Sequence, residues 1–240
     1  MINKRIVSPD SKEDFSYLKS TSMLSTSVNY MDVEDCMKEL KNITLVPRSG
    51  THNNFKIKEE IIIYIIGGDL LYSDSTGNLE NLSSGDFLYI NSLDGITYDI
   101  FNNGTDFLDI IEITLVPQYA IKSKKFFNKE NSFINLNVKN PVLNQWIYAV
   151  SSLNGLAPIK STCDINIYSA CLDADKSLNF TVGKERHVYL FQCYGESEIT
   201  ASNLESITLT GAGSAYISNE NFEIRATIPS NILLIETINL

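Results

Sequence analysis

Short apolar runs, closely spaced and broken by turn residues, dominate the chain. They lie at Glu60–Ile66, Asp86–Ile90, Leu108–Val116, Ile165–Leu172, Val188–Cys193, Ser214–Ile217 and Ile232–Ile238. Between them stand Gly67-Gly68, Ser75-Thr76-Gly77-Asn78, Ser83-Ser84-Gly85-Asp86, Asn102-Asn103-Gly104, Gly195 and Gly211-Ala212-Gly213. Many short strands without alternating helices predict an all-β sandwich or barrel. Two stretches carry a competing helical signal: Val33–Lys41 by composition, and Val142–Val150, which follows Pro141.

The pattern also repeats. A shift of 127 residues lays Glu60-Ile61-Ile62-Ile63-Tyr64-Ile65-Ile66-Gly67-Gly68-Asp69 on His187-Val188-Tyr189-Leu190-Phe191-Gln192-Cys193-Tyr194-Gly195-Glu196. The same shift, without a gap, lays Gly85-Asp86-Phe87-Leu88-Tyr89-Ile90 on Ala212-Gly213-Ser214-Ala215-Tyr216-Ile217. Each half therefore reads as an apolar strand, a glycine-acid turn, a hairpin, a small-residue turn and a strand ending Tyr-Ile. The expected organisation is an N-terminal domain over 1–121, a connector over 122–140 and a C-terminal domain over 141–240.

Composition narrows the functions available. Hydrophobic residues make up 43% and charged residues 20% of the 240, enough apolar material for a core. A net charge of −10 argues against direct nucleic-acid binding, and Lys122, Lys124 and Lys125 read as a solvated linker face. The longest apolar run, Ile61 to Ile66, is far shorter than the ~20 residues of a spanning helix. With no leader pattern at its start, the chain is expected in the cytoplasm, away from membranes, as a monomer. Cys36, Cys163, Cys171 and Cys193 show no metal spacing and are expected as buried thiols, with redox sensing as the alternative. On one strand Cys163 and Cys171 would stand about 26 Å apart, too far for a disulfide.

The repeat residues resemble the cupin superfamily, and within it the pirin-like bicupins. Tyr64-Ile-Ile-Gly-Gly-Asp-Leu-Leu-Tyr-Ser-Asp-Ser-Thr-Gly-Asn78 is similar to the pirin stretch Tyr-Val-Leu-Glu-Gly-Glu-Leu-x-x-x-Asp-Ser-x-Gly-Asn. Ser84-Gly85-Asp86 and Gly95-Ile96 match the family's Pro-Gly-Asp and Gly-Ile landmarks. The nearest flavour is the short, metal-poor group typified by YhaK. The resemblance implies two face-to-face β-sandwich barrels (jelly rolls) in one chain. It also makes Met37–Thr44 a strand, against the helical signal.

Pirins hold iron or a similar metal in the first barrel through three histidines and a glutamate. In this register those positions are Asn54, Lys56, Tyr98 and Ile100, so the resemblance implies a lost site with no metal and no other cofactor. His52 lies two residues off and cannot build the site alone. By the repeat, the matching positions in the second half are Thr181, Gly183, Arg225 and Thr227, and His187 reads as an ordinary strand histidine. Lys56 would stand where the metal should be. Divalent transition metals in such barrels need imidazole and carboxylate donors.

Other chemistry finds no support. No Gly-x-Ser-x-Gly elbow is present, Gly211-Ala212-Gly213 precedes a strand, and Glu59-Glu60 should point to opposite faces. Asp106, Asp109 and Glu112 read as surface charges. The expectation is a metal-free binding or regulatory protein, not an enzyme, with Asn54, Lys56, Tyr98 and Ile100 around a cavity and Tyr64 or Tyr98 as an aromatic wall. Its ligand would be a small anionic or aromatic molecule. The alternatives are a quercetin 2,3-dioxygenase-like oxidoreductase and a stress-linked scaffold for a protein partner.

Overall fold

The computed structural model of the protein describes residues 2–5, 12–15, 18–25, 36–92, 94–117, 142–202 and 206–238. All of the regular structure among them is β. The chain divides into two compact units, one of Ser8–Lys139 and one of Met1–Val7 with Asn140–Leu240. The N-terminal residues thus depart from the expected 1–121 domain. Strand β1 (Ile2–Arg5) pairs antiparallel with β18 (Ser214–Ser218), deep in the second half. The expected connector, 122–140, lies outside the described residues.

The first unit is a sandwich of two sheets. One sheet has the order β2 (Lys12–Phe15), β3 (Leu18–Ser25), β4 (Met37–Leu45), β11 (Leu108–Leu115), β6 (Glu60–Gly67), β9 (Phe87–Asn91). The other has the order β5 (Gly50–Lys56), β10 (Ile96–Asn102), β7 (Asp69–Asp74), β8 (Leu79–Ser83). Strand alternation fills the space between them: Ile61, Ile63 and Ile65 of β6 meet Ile43, Leu45, Leu70, Leu88, Ile96 and Ile110 in one buried core. The strand assignment for Met37–Thr44 holds, and the helical signal there reflects composition that tertiary pairing overrides.

The second unit reuses this plan with longer strands. Its sheet runs β1, β18, β16 (Arg186–Ala201), β19 (Phe222–Ile238), β14 (Ile165–Leu172), β12 (Ile147–Ser152), β13 (Ile159–Ser161). In addition, β15 (Ser177–Phe180) pairs with β19, and β17 (Ser206–Thr210) pairs with β16. The helical signal over Val142–Val150 is overturned, because Ile147 onward joins the sheet against β14. Strands β16 and β19 each do the work that two strands do in the first unit. They pass through the corner by register shifts between Gln192 and Ser197.

The 127-residue repeat is exact in the hydrogen-bonded register. Ile61 faces Ile90 and Val188 faces Ile217; Ile62 faces Tyr89 and Tyr189 faces Tyr216. The corner repeats as well. Gly68 has φ +90° and Gly195 has φ +86°, and a Cβ on Gly195 would stand 2.4 Å from the Pro229 carbonyl oxygen. Only glycine tolerates that combination.

Candidate functional site

A cavity of about 140 Å³ opens in the first unit, lined by Lys41, Ile43, Leu45, Thr51, Asn54, Lys56, Tyr98, Ile100, Ile110 and Glu112. All four positions singled out in the sequence (Asn54, Lys56, Tyr98 and Ile100) line it together. They come from β5 and β10, which are neighbours: Asn54 is opposite Tyr98, and Lys56 is opposite Ile96. Lys41 and Glu112 reach in from the other sheet, where they face each other across β4 and β11.

The polar groups form a connected set. The Lys56 ammonium stands 3.8 Å from a carboxylate oxygen of Glu59 and 3.8 Å from one of Glu112. Lys38 donates a hydrogen bond to the other oxygen of Glu59. The Tyr98 hydroxyl donates to Glu112 at 3.2 Å. Burial, then the charge of Glu112, pushes the Tyr98 phenol well above its usual range, so it stays a donor. Asn54 donates its amide to the Thr51 hydroxyl at 2.7 Å and to the Tyr98 carbonyl at 3.2 Å. The apolar wall is Ile43, Leu45, Ile100 and Ile110.

Several sequence expectations change here. Glu112 is no surface charge: it is buried, on the inward face of β11 between Ile110 and Thr114. Strand β11 also carries Asp109 and Thr114, so the sequence held no signal that set Glu112 apart. Glu59 is also buried, as is Glu60. Tyr64 is not a cavity wall. It lies on the opposite face of β6 from Ile63 and Ile65, where its ring meets Phe87 at 4.6 Å. His52 is exposed and faces Asp99 at 3.7 Å, away from the cavity lining.

The cysteines are free thiols; Cys36 and Cys163 are buried, and Cys171 and Cys193 partly so. Burial pushes the Cys171 and Cys193 thiols up, which leaves little of the reactive thiolate at neutral pH. Cys171 also accepts a hydrogen bond from Asn231 at 3.4 Å.

In the second unit the matching positions differ from those expected. The partners Phe180 and Phe222 stand where Asn54 and Tyr98 stand in the first unit, and Ile224 follows as the counterpart of Ile100. Thr181, Gly183, Arg225 and Thr227 are therefore displaced from the true equivalents. The constant 127-residue shift fails on both sides of the matched strands. Asn54 lies six positions before Glu60, whereas Phe180 lies seven before His187. Tyr98 lies seven positions after Asn91, whereas Phe222 lies only four after Ser218. Arg225 and Thr227 point outward while Phe222, Ile224 and Ala226 point into the core. His187 is buried, with its ring 5.1 Å from Tyr189 and 5.0 Å from Tyr216.

The donors at the first-unit cavity do not suit a transition metal. Ile100 has no donor atom, and a lysine ammonium already faces the two carboxylates. No cluster of three or more histidine, cysteine, aspartate or glutamate side chains able to hold a metal occurs among the described residues. An ammonium repels a cation, and imidazole is missing from the lining.

Comparison with known proteins supplies the context. The quercetinase C-terminal cupin domain matches residues 150–237. The pirin-like protein YhaK of Escherichia coli strain K12 is 24% identical over 98% of this chain and 99% of its own. A crystal structure of the bacterial pirin YhhW of Escherichia coli in complex with nickel(II) superposes with a TM-score of 0.75. It is 18% identical and covers 100% of both chains. A quercetin 2,3-dioxygenase of Acinetobacter baumannii superposes with a TM-score of 0.73 at 11% identity, over 99% of this chain and 85% of its own. At such identities the structural likeness speaks for the fold.

Proposed function

We propose that this pirin-like bicupin works without a metal, as a cytosolic binding protein for a small molecule held in its first barrel. One observation carries the reading: the Lys56 ammonium occupies the polar end of the cavity, 3.8 Å from both Glu59 and Glu112. A tethered cation thus balances the two carboxylates where the family resemblance would place a metal ion. The cavity, about 140 Å³, matches in size those that take up a benzene-sized guest. Four of its ten lining residues are aliphatic and six carry polar groups, a mixture that orients a small ligand.

The charge of Lys56 is matched by its carboxylate neighbours, so an anion is not selected by charge alone. Hydrogen-bond complementarity sets the preference instead. A ligand of about one ring, carrying an oxygen acceptor for Lys56 and an apolar face for Ile43 and Ile110, fits best.

Two measurements test the reading. After incubation with nickel(II) or iron(II) and desalting, elemental analysis should find no more than about a tenth of a metal ion per chain. One ion per chain would overturn the proposal. In a thermal-shift screen of one-ring compounds, hits should stabilise the wild type and fail with Ile100→Trp, which fills the cavity. Equal responses from both proteins would point to binding elsewhere and reject the site.

A further inference from the structure

We propose that Lys56 is a carbonyl-reactive amine, and that the cavity takes a small aldehyde or ketone and holds it as an iminium. This rests on the reading of the cavity as a ligand site and adds the chemical class of its occupant.

Two amines line the cavity, and their surroundings differ. Lys41 is paired with Glu39 at 3.0 Å. The Lys56 ammonium has carboxylates on two sides at 3.8 Å, beyond hydrogen-bonding distance. Its N–H groups are thus electrostatically balanced without being bound, and they border open space. The Lys56 side chain is also only 19% exposed, so the reaction would take place largely shielded from water.

The reaction leaves the charge of the site unchanged. An iminium carries the same single positive charge as the ammonium it replaces, so Glu59 and Glu112 stay compensated before and after it.

The protons balance through Glu112. Its Oε1 faces Lys56, while its Oε2 accepts the hydrogen bond from Tyr98 and is held in place by it. The Lys56 ammonium gives one proton to Glu112, and the freed electron pair forms a C–N bond to the carbonyl carbon. The carbonyl oxygen takes that proton and becomes a hydroxyl. The nitrogen then passes a second proton through Glu112 to this hydroxyl, the C–O bond breaks, and water leaves. Ammonium plus carbonyl yields iminium plus water, with no oxidant or reductant. Glu112 is the proton carrier, and Tyr98 positions it.

The test is reductive trapping on the full-length protein. Glycolaldehyde and, separately, pyruvate are added at neutral pH with sodium cyanoborohydride, whose hydride reduces the iminium to a stable secondary amine. Peptide mass spectrometry then compares Lys56 with the exposed Lys184. Lys56 is expected to be modified about tenfold faster with at least one probe. Lys56→Arg keeps the charge and should abolish the adduct at that peptide. Glu112→Gln should slow Lys56 without changing the rate at Lys184, with melting curves confirming that both variants are folded.

Modification of Lys56 no faster than Lys184 would overturn the inference. So would labelling that Ile100→Trp leaves unchanged, because the chemistry would then lie outside the cavity. A non-covalent ligand lost in Ile100→Trp, with no Lys56 adduct, would remove the iminium and leave the binding reading standing.

Discussion

The two units share a strand plan and a register, yet one encloses a polar cavity and the other a packed apolar core. Asn54, Tyr98 and Ile100 of the first correspond by ladder position to Phe180, Phe222 and Ile224 of the second. On the other sheet the facing pair Lys41 and Glu112 corresponds to Tyr168 and Leu234. Phe180, Phe222, Ile224 and Leu234 all belong to the second core, and Tyr168 packs against it. Phe180 stacks on Phe222 at 5.6 Å and meets Tyr168 edge-on at 5.2 Å. One fold thus supports either a chamber or a plug, and the choice rests on a handful of inward positions. Among the described residues of the second unit, the buried carboxylate Glu236 meets Arg186 at 3.4 Å.

That contrast can be broken from either side. The largest effect is expected on the filled side: Phe180→Ala should cost about 3–5 kcal/mol, measured by urea unfolding of the second unit, because it empties an aromatic cluster. Its partner experiment, Asn54→Ala, borders space that is already open and should cost about 1 kcal/mol or less. Equal losses would mean that the two interiors do not differ as described.

Next comes the corner. Gly195→Ala should destabilise by roughly 2–3 kcal/mol, since the new Cβ meets a backbone carbonyl and φ is positive. Third, Glu112→Leu copies the second unit into the first at one position only. It leaves Lys56 with Glu59 alone and should cost about 1–2 kcal/mol, a figure reduced for the open cavity. Adding Lys56→Val and Asn54→Phe to it should recover that loss and abolish ligand binding, as read by the thermal-shift screen.

The fourth prediction concerns pH. Burial alone would raise the Asp74 carboxyl, but hydrogen bonds from Asn78, Thr76 and Tyr72 outweigh it and hold the group below its ordinary value. A carboxyl depressed in the folded state adds stability above its ordinary range, and that stability is lost as pH falls toward the depressed value. Asp74→Asn should therefore lower the melting temperature at pH 7 and leave it nearly unchanged at the acid limit. The corresponding position in the second unit is Ala201, which cannot titrate. The smallest effect is expected at Ala212, which has φ +63° and is the counterpart of Gly85. Ala212→Gly should stabilise by about 0.5–1 kcal/mol in thermal unfolding, by relieving a left-handed alanine.

Strand identity and the repeat were legible because period-two burial and the glycine corners are local signals. Gly68, Gly195 and the Tyr-Ile strand ends announce themselves in the sequence. The four cavity positions were legible through the family landmarks around them. Glu112 was not, because a single carboxylate between Ile110 and Thr114 reads alike on either face until the strand is paired. Tyr64 misled for the complementary reason: β6 is buried on both faces, so aromatic character says nothing about which side it takes. The second-unit equivalents were missed because the repeat is gap-free only between Glu60/His187 and Asn91/Ser218; a one-residue insertion before it and a three-residue shortening after it lie in loops with no marker of their own.

The pairing of Ile2–Arg5 with Ser214–Ser218 carries a consequence for biosynthesis. Strand β1 waits for a partner made about 200 residues later. At about 5–20 residues per second, some 200 residues take roughly 10–40 s to emerge, and for that interval the β18 partner does not exist. The second unit closes only once β18 has emerged, and until then β1 is an unmatched edge open to other pairings. Fusions or deletions at the first few residues should therefore show themselves in the yield of soluble chain before they alter anything at the cavity.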